Sequence, residues 1–304
     1  MTSEQRIKNL SVPKGRVDVV IDTDAYNESD DQFAIGYLLR SKEKLNTKAI
    51  YAAPFLNEIV DTPKEGMEKS YDEILNILSL MREETTVLKG ADRFLDDEKT
   101  PVISPAAQDL AERVKNYSPQ NPLYVISIGA ITNIASAILL NPQVAENAVV
   151  IWLGGHARHY HDILEFNMQE DIAAARVVFG SGVPLVQLPC CGVVNAFAVS
   201  GAEFDYWFSG KNELCDYLVD HAAKTAERYK PGKAWSRVIW DVTAVAWLLN
   251  DDNRFMLSRI EPTYMPSYEG FYEENPDGVP MGYVYYIRRD NLFNDLVEKL
   301  TEKE

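Results

Sequence analysis

Short apolar, β-branched runs alternate with longer segments of helical period, and this alternation constrains the fold more than any other feature of the chain. Strands are expected at 17–21, 48–53, 86–88, 123–128, 149–153 and 185–188, with helices at 30–40, 67–81, 105–116, 133–140 and 171–179 between them. Strands joined through helices run parallel, and a parallel sheet needs apolar cover on both faces. The expected class is therefore α/β, an open, mostly parallel, twisted sheet in a three-layer αβα arrangement of Rossmann-like type. Helices at 212–227, around 238–249 and at 292–299 follow, with two edge strands at 257–260 and 283–287. No repeat or low-complexity linker interrupts the pattern, so residues 1–304 are read as one domain.

Composition narrows the partners. The chain carries 46 Asp+Glu against 30 Lys+Arg, a formal net charge of −16, which speaks against a phosphate-tracking nucleic-acid binder. A hydrophobic fraction of 46% supplies an ordinary core. The uncharged window 123–140 is broken by Ser127, Gly129, Thr132, Asn133 and Ser136, and reads as a strand, a turn and a helix rather than a membrane span. Three cysteines, Cys190, Cys191 and Cys215, form no even disulfide framework and no C-x-x-C pair, and the first residues have no apolar signal core. A reduced, cytoplasmic protein is expected, with no membrane partner.

The chemistry concentrates at the end of the first strand. Asp22-Thr23-Asp24 closes it and Asp30-Asp31 opens the following helix, where Ser29 and Gln32 have the spacing of a capping box. In open α/β sheets ligands bind at the carboxyl ends of strands. Four acids in ten residues, with no Lys or Arg between Asp18 and Leu39, repel one another unless a cation intervenes. An all-oxygen, carboxylate-rich shell points to calcium or magnesium rather than zinc.

These residues resemble the aspartate motif of the inosine-uridine preferring nucleoside hydrolases, calcium-dependent N-ribohydrolases. Further segments are similar in the same order: Ile128-Gly129-Ala130-Ile131-Thr132-Asn133, then Trp152-Leu153-Gly154-Gly155 with Glu165-Phe166-Asn167, then Trp240-Asp241. The resemblance implies that Asp24, Asp31, Asp241 and the Ile128 carbonyl bind Ca2+. It further implies that Asp24 takes a proton from water, and that Asp30, Glu165 and Asn167 hold the ribose hydroxyls, with Asn57 near the sugar. A homo-oligomer, dimer or tetramer, is implied as well. Two positions depart from the family pattern. Trp240 stands where a His is expected to protonate the leaving base, and His159 stands where an Asn is usual; the loop Ala25-Tyr26-Asn27-Glu28-Ser29 is also longer.

Indole gives up no proton near neutral pH, so His159 or His161 is the expected acid, and Trp240 a possible stacking surface for the base. The trio His156, His159 and His161 matches no standard zinc spacing. The expected function is hydrolysis of the N-ribosidic bond of a nucleoside or related N-glycoside. Two alternatives stay open at this point: a magnesium-dependent aspartyl phosphatase with Asp22 as nucleophile, and a non-catalytic, calcium-dependent sugar-binding homologue.

Overall fold

The computed structural model describes residues 1–276 and 278–302. Its strands, in chain order, are β1 (Val17–Thr23), β2 (Leu45–Ala52), β3 (Val87–Lys89), β4 (Leu123–Ser127), β5 (Ala148–Leu153), β6 (Leu185–Leu188), β7 (Ala198–Ser200), β8 (Ser236–Val238), β9 (Met256–Pro262), β10 (Met265–Pro266), β11 (Tyr272–Glu273) and β12 (Pro280–Ile287). Among the described residues, eight of them form one sheet in the order β3-β2-β1-β4-β5-β6-β12-β9. Every neighbouring pair is parallel except β12 with β9.

Alternate residues of each central strand serve opposite faces. Val19 and Ile21 enter one apolar cluster while Val20 enters the other, and Ile126 and Val125 divide in the same way. One cluster takes helices Asp31–Leu39, Pro63–Met81 and Val242–Leu248; the other takes Pro105–Arg113, Thr132–Leu140 and Ile172–Gly180. The three-layer reading therefore describes the molecule. Ser104 caps its helix at the expected start, while Thr62 starts helix Pro63–Met81 four residues earlier than expected; each accepts a backbone N–H three residues on, with proline in the first turn.

The strand expected at the edge around 283–287 is interior instead. β12 lies between β6 and β9, with Met281, Gly282, Tyr283 and Val284 buried, and its exposed Tyr285 and Tyr286 had the look of an edge. The helix expected around 238–249 splits, because β8 ends at Val238 and the helix begins only at Val242. The β7–β8 and β10–β11 ribbons and helices Ser3–Asn9 and Gly201–Phe208 had no counterpart in the sequence reading. Among the described residues no helix is long and apolar enough to cross a membrane.

The chain runs outward from β1 to β2 and β3, then returns to place β4 on the other side of β1. This reversal opens a crevice at the carboxyl ends of β1 and β4.

Candidate active site

Asp24 follows β1 directly, and the turn after it delivers Asp30 and Asp31 to the start of helix Asp31–Leu39. The expected Ser29–Gln32 capping box does not form. Asp30 takes the N-cap position without a side-chain cap bond, and the Gln32 amide donates back into the loop, to the Ala25 carbonyl at 2.5 Å. The acids are thereby left for other work. Thr23 donates to Asp31 at 2.5 Å, Asn27 to Asp24 at 3.0 Å, and the backbone N–H of Asp241 points to Asp30 at 3.4 Å.

Carboxylate oxygens of Asp30, Asp31 and Asp241 lie within 4.8 Å of one another, and Asp24 is buried beside them. Burial first pushes all four above the ordinary range, Asp30 to about 6 and Asp31 to about 8, with Asp24 and Asp241 also well raised; repulsion comes next, from Glu28 at Asp30, from Asp30 at Asp31 and Asp241, and from Asp31 at Asp24. Glu170 adds to the repulsion at Asp24, and Arg237 offsets only part of it at Asp30. A donor set of buried, crowded, hard oxygens fits a divalent cation of the calcium or magnesium kind. Without one, these groups keep protons that carboxyls in water would lose.

The acids floor a cavity of about 400 Å³. Ile128 after β4 and Leu153 at the end of β5 line it, and the Asn167 amide donates to both carbonyls, at 3.2 and 3.0 Å. Glu165 caps the short helix Phe166–Glu170; its carboxylate accepts the N–H groups of Gly155, Asn167 and Met168 at 2.8, 2.9 and 3.2 Å. Burial nevertheless lifts it to about 7. Asn57 lines the cavity with its amide donated to Asn27 at 2.7 Å, and Trp240 lines it next to Asp241.

The structure thus brings together Asp24, Asp30, Asp31, Asn57, Ile128, Glu165, Asn167, Trp240 and Asp241. It does not bring in His159 or His161. Both are exposed outside the lining, His161 against Asp162 at 2.8 Å and His159 over Gly192, because the loop after β5 turns them away. The imidazole that lines the cavity is His156, whose Nδ1 accepts the Cys191 backbone N–H at 3.2 Å. Its place directly after Gly154-Gly155, at a strand end, was the available signal. Glu28, Glu58, Cys190, Cys191 and Tyr229 also line the cavity and were not read as site residues. Asp22 does not line it: Asn133 donates to one of its oxygens at 2.7 Å and burial raises it to about 7. The phosphatase reading thereby loses its nucleophile.

Gly129 lets the backbone pass close to the carboxylate cluster. A Cβ there would lie 2.9 Å from Oδ1 of the buried Asp24 carboxylate, so one of the two must shift. Gly129→Ala is expected to push the Asp24 carboxylate aside and to lower the rate of any reaction that uses it by up to about 10²-fold, the cost of misplacing a reacting group by about 1 Å. Steady-state kinetics on folded variant protein checks this.

Solved structures with the same fold include a plant nucleoside hydrolase (TM-score 0.75, 19% identity, 95% of this chain and 100% of that one). Another is a purine-preferring ribonucleoside hydrolase from Gardnerella vaginalis (TM-score 0.73, 20% identity, 93% and 98%). Among curated proteins, the non-specific ribonucleoside hydrolase RihC of Salmonella paratyphi A is 28% identical over 173 residues, 54% of this chain and 53% of that protein. The match therefore spans about half the length of the curated relatives. The family model for the inosine-uridine preferring nucleoside hydrolases matches residues 19–270, a span that holds every cavity residue named above, and the chain belongs to that family.

Proposed function

We propose that the protein hydrolyses the N-glycosidic bond of a nucleoside or closely related N-riboside, releasing the base and ribose. The observation that carries this reading is the buried set of Asp24, Asp30, Asp31 and Asp241 at the floor of a nucleoside-sized cavity, in a chain of this family. Calcium is the proposed cation; when bound it would supply Lewis acidity toward a water molecule and the sugar hydroxyls. Asp31, Asp241 and the Ile128 carbonyl are proposed to hold it with Asp24, and Asp30 completes the crowded carboxylate group.

Asp24 takes the proton of the attacking water as the sugar gains oxocarbenium character. Asp30, Glu165 and Asn167 orient the ribose hydroxyls, with Asn57 at the margin, and Glu165 and Asn167 are themselves fixed by the backbone bonds described above. His159 and His161 lie outside the cavity and are left out of this mechanism. The three cysteines are free, which fits a reducing, cytoplasmic setting. The dimer or tetramer implied by the resemblance is retained as part of the proposal.

Incubation with inosine, uridine and p-nitrophenyl riboside, with reducing-sugar detection, tests the reading. Ribose release that stops with chelator and returns with calcium is expected. Ribose binding without turnover of any riboside would favour the sugar-binding alternative.

A further inference from the structure

The walls of the cavity are unusually one-signed. Seven carboxylates line it; Asp24, Asp30, Asp31 and Asp241 are the ones proposed for calcium, which leaves Glu28, Glu58 and Glu165 for the rest of the wall, and among the described residues no Lys or Arg lines it. The cations nearest its mouth are already engaged. Arg237 donates to Glu28 at 2.5 Å, Arg228 donates to the Asn27 carbonyl at 3.3 Å, and both guanidinium groups lie 5.0 Å from the centre of the Tyr229 ring. Trp240 is different: it lines the cavity beside Asp241, half-buried, with part of its indole against the apolar core, and among the described residues no cation of the chain stacks on it. An indole face among carboxylates is a site for a ligand cation.

Among the described residues the lining offers a leaving base no ready acid: the Tyr229 hydroxyl donates to Glu28 at 2.9 Å, and burial holds the Cys190 and Cys191 thiols up. His156 accepts a backbone N–H at Nδ1, which fixes the neutral tautomer with its proton on Nε2; neutral imidazole donates a hydrogen bond and keeps its proton. Burial favours the same neutral form. Glu165 has both oxygens committed to three backbone N–H groups. Trp240 is no acid.

We propose that the preferred substrates are N-ribosides whose base carries a positive charge, such as pyridinium or quaternised-purine ribosides, with the charged ring on the Trp240 face. This rests on the N-ribosidic reading above and names its substrate class. For such a base the chemistry balances without an acid. The water oxygen bonds to the anomeric carbon as the C–N bond breaks, the electron pair of that bond cancels the charge on the ring nitrogen, and the base leaves neutral. The proton lost by water goes to Asp24.

The test compares three ribosides with the calcium-loaded protein: that of nicotinamide, which is cationic; inosine, which is neutral with a poor leaving group; and p-nitrophenyl riboside, which is neutral with a good one. The nicotinamide riboside should exceed inosine in kcat/KM by at least about 10²-fold, the low end for a missing general acid. To separate charge recognition from leaving-group quality, 1-methylnicotinamide, a cation quaternised at the ring nitrogen, should inhibit about tenfold more strongly than neutral nicotinamide, the scale of a partly desolvated cation–π contact. Trp240→Ala should erase that inhibitor preference and raise KM for the nicotinamide riboside more than for p-nitrophenyl riboside, and Trp240→Phe should restore part of both. If p-nitrophenyl riboside is cleaved while the cationic riboside is no better than inosine, or the two nicotinamides inhibit equally, the cation preference is wrong and the hydrolase reading stands. If no riboside is cleaved, the hydrolase reading itself fails and this inference with it.

Discussion

Asp24→Asn should lower kcat by at least about 10²-fold on the best substrate, the low end for loss of a general base. Asparagine keeps the volume, so the close passage of Gly129 and the bond from Asn27 leave the packing little changed. What disappears is the negative charge and the basic oxygen. The matched control is Asp251→Asn. Asp251 lies outside the cavity lining, exposed, and accepts from the largely buried Lys44 at 2.7 Å, so its loss bears on stability and leaves kcat unchanged. Steady-state kinetics on both variants, with circular dichroism to confirm folding, separates the two sites. Equal activity of Asp24→Asn and the unsubstituted protein would remove Asp24 from the mechanism.

The second large effect is a calcium response that grows with pH. Unfolded aspartates ionise near pH 4, whereas folding lifts Asp30 to about 6 and Asp31 to about 8. Between about pH 4 and 8 the metal-free native state therefore holds protons that the unfolded chain has released, and its stability falls as pH rises through that window. A divalent cation replaces those protons, and it competes with fewer of them at pH 8 than at pH 5. The gain in Tm on adding calcium to chelator-treated protein should widen from pH 5 to pH 8, reaching about 4 °C when calcium exceeds its Kd about 100-fold. A gain that is absent, or the same at both pH values, would count against a cation among these carboxylates.

The parts of this molecule that could be read from sequence are those where a local pattern carries its own physics. β-Branched runs that end in acids announced β1, whereas the Ile128 and Glu165-Asn167 segments were placed only by their resemblance to the family's motifs. The histidine loop could not be read in this way. His156, His159 and His161 are chemically equivalent in one dimension, and only the turn after β5 decides that the first faces inward and the others do not. Tyr229 was hidden for a similar reason. It ends helix Glu213–Tyr229 and reaches the mouth because its hydroxyl donates to Glu28 at 2.9 Å, a contact across 201 residues. β12 was misplaced because strand position in a sheet is a property of the whole chain. Its aromatic tail reads as half-wet, yet β9 folds back along it and takes the edge.

Helix Asp31–Leu39 has no wet face: all nine residues are buried, between helices Pro63–Met81, Val242–Leu248 and Arg289–Thr301. A segment enclosed on every side has no independent fraying equilibrium, and its backbone amides open only when the surrounding layers part. Because Asp31 belongs to this helix and Asp30 caps it, these two carboxylates cannot be loosened by a local excursion. Their spacing is set by the same cooperative unit that keeps the protein folded, so a cation held there would be released through its mouth-side coordination and not by melting of its own support.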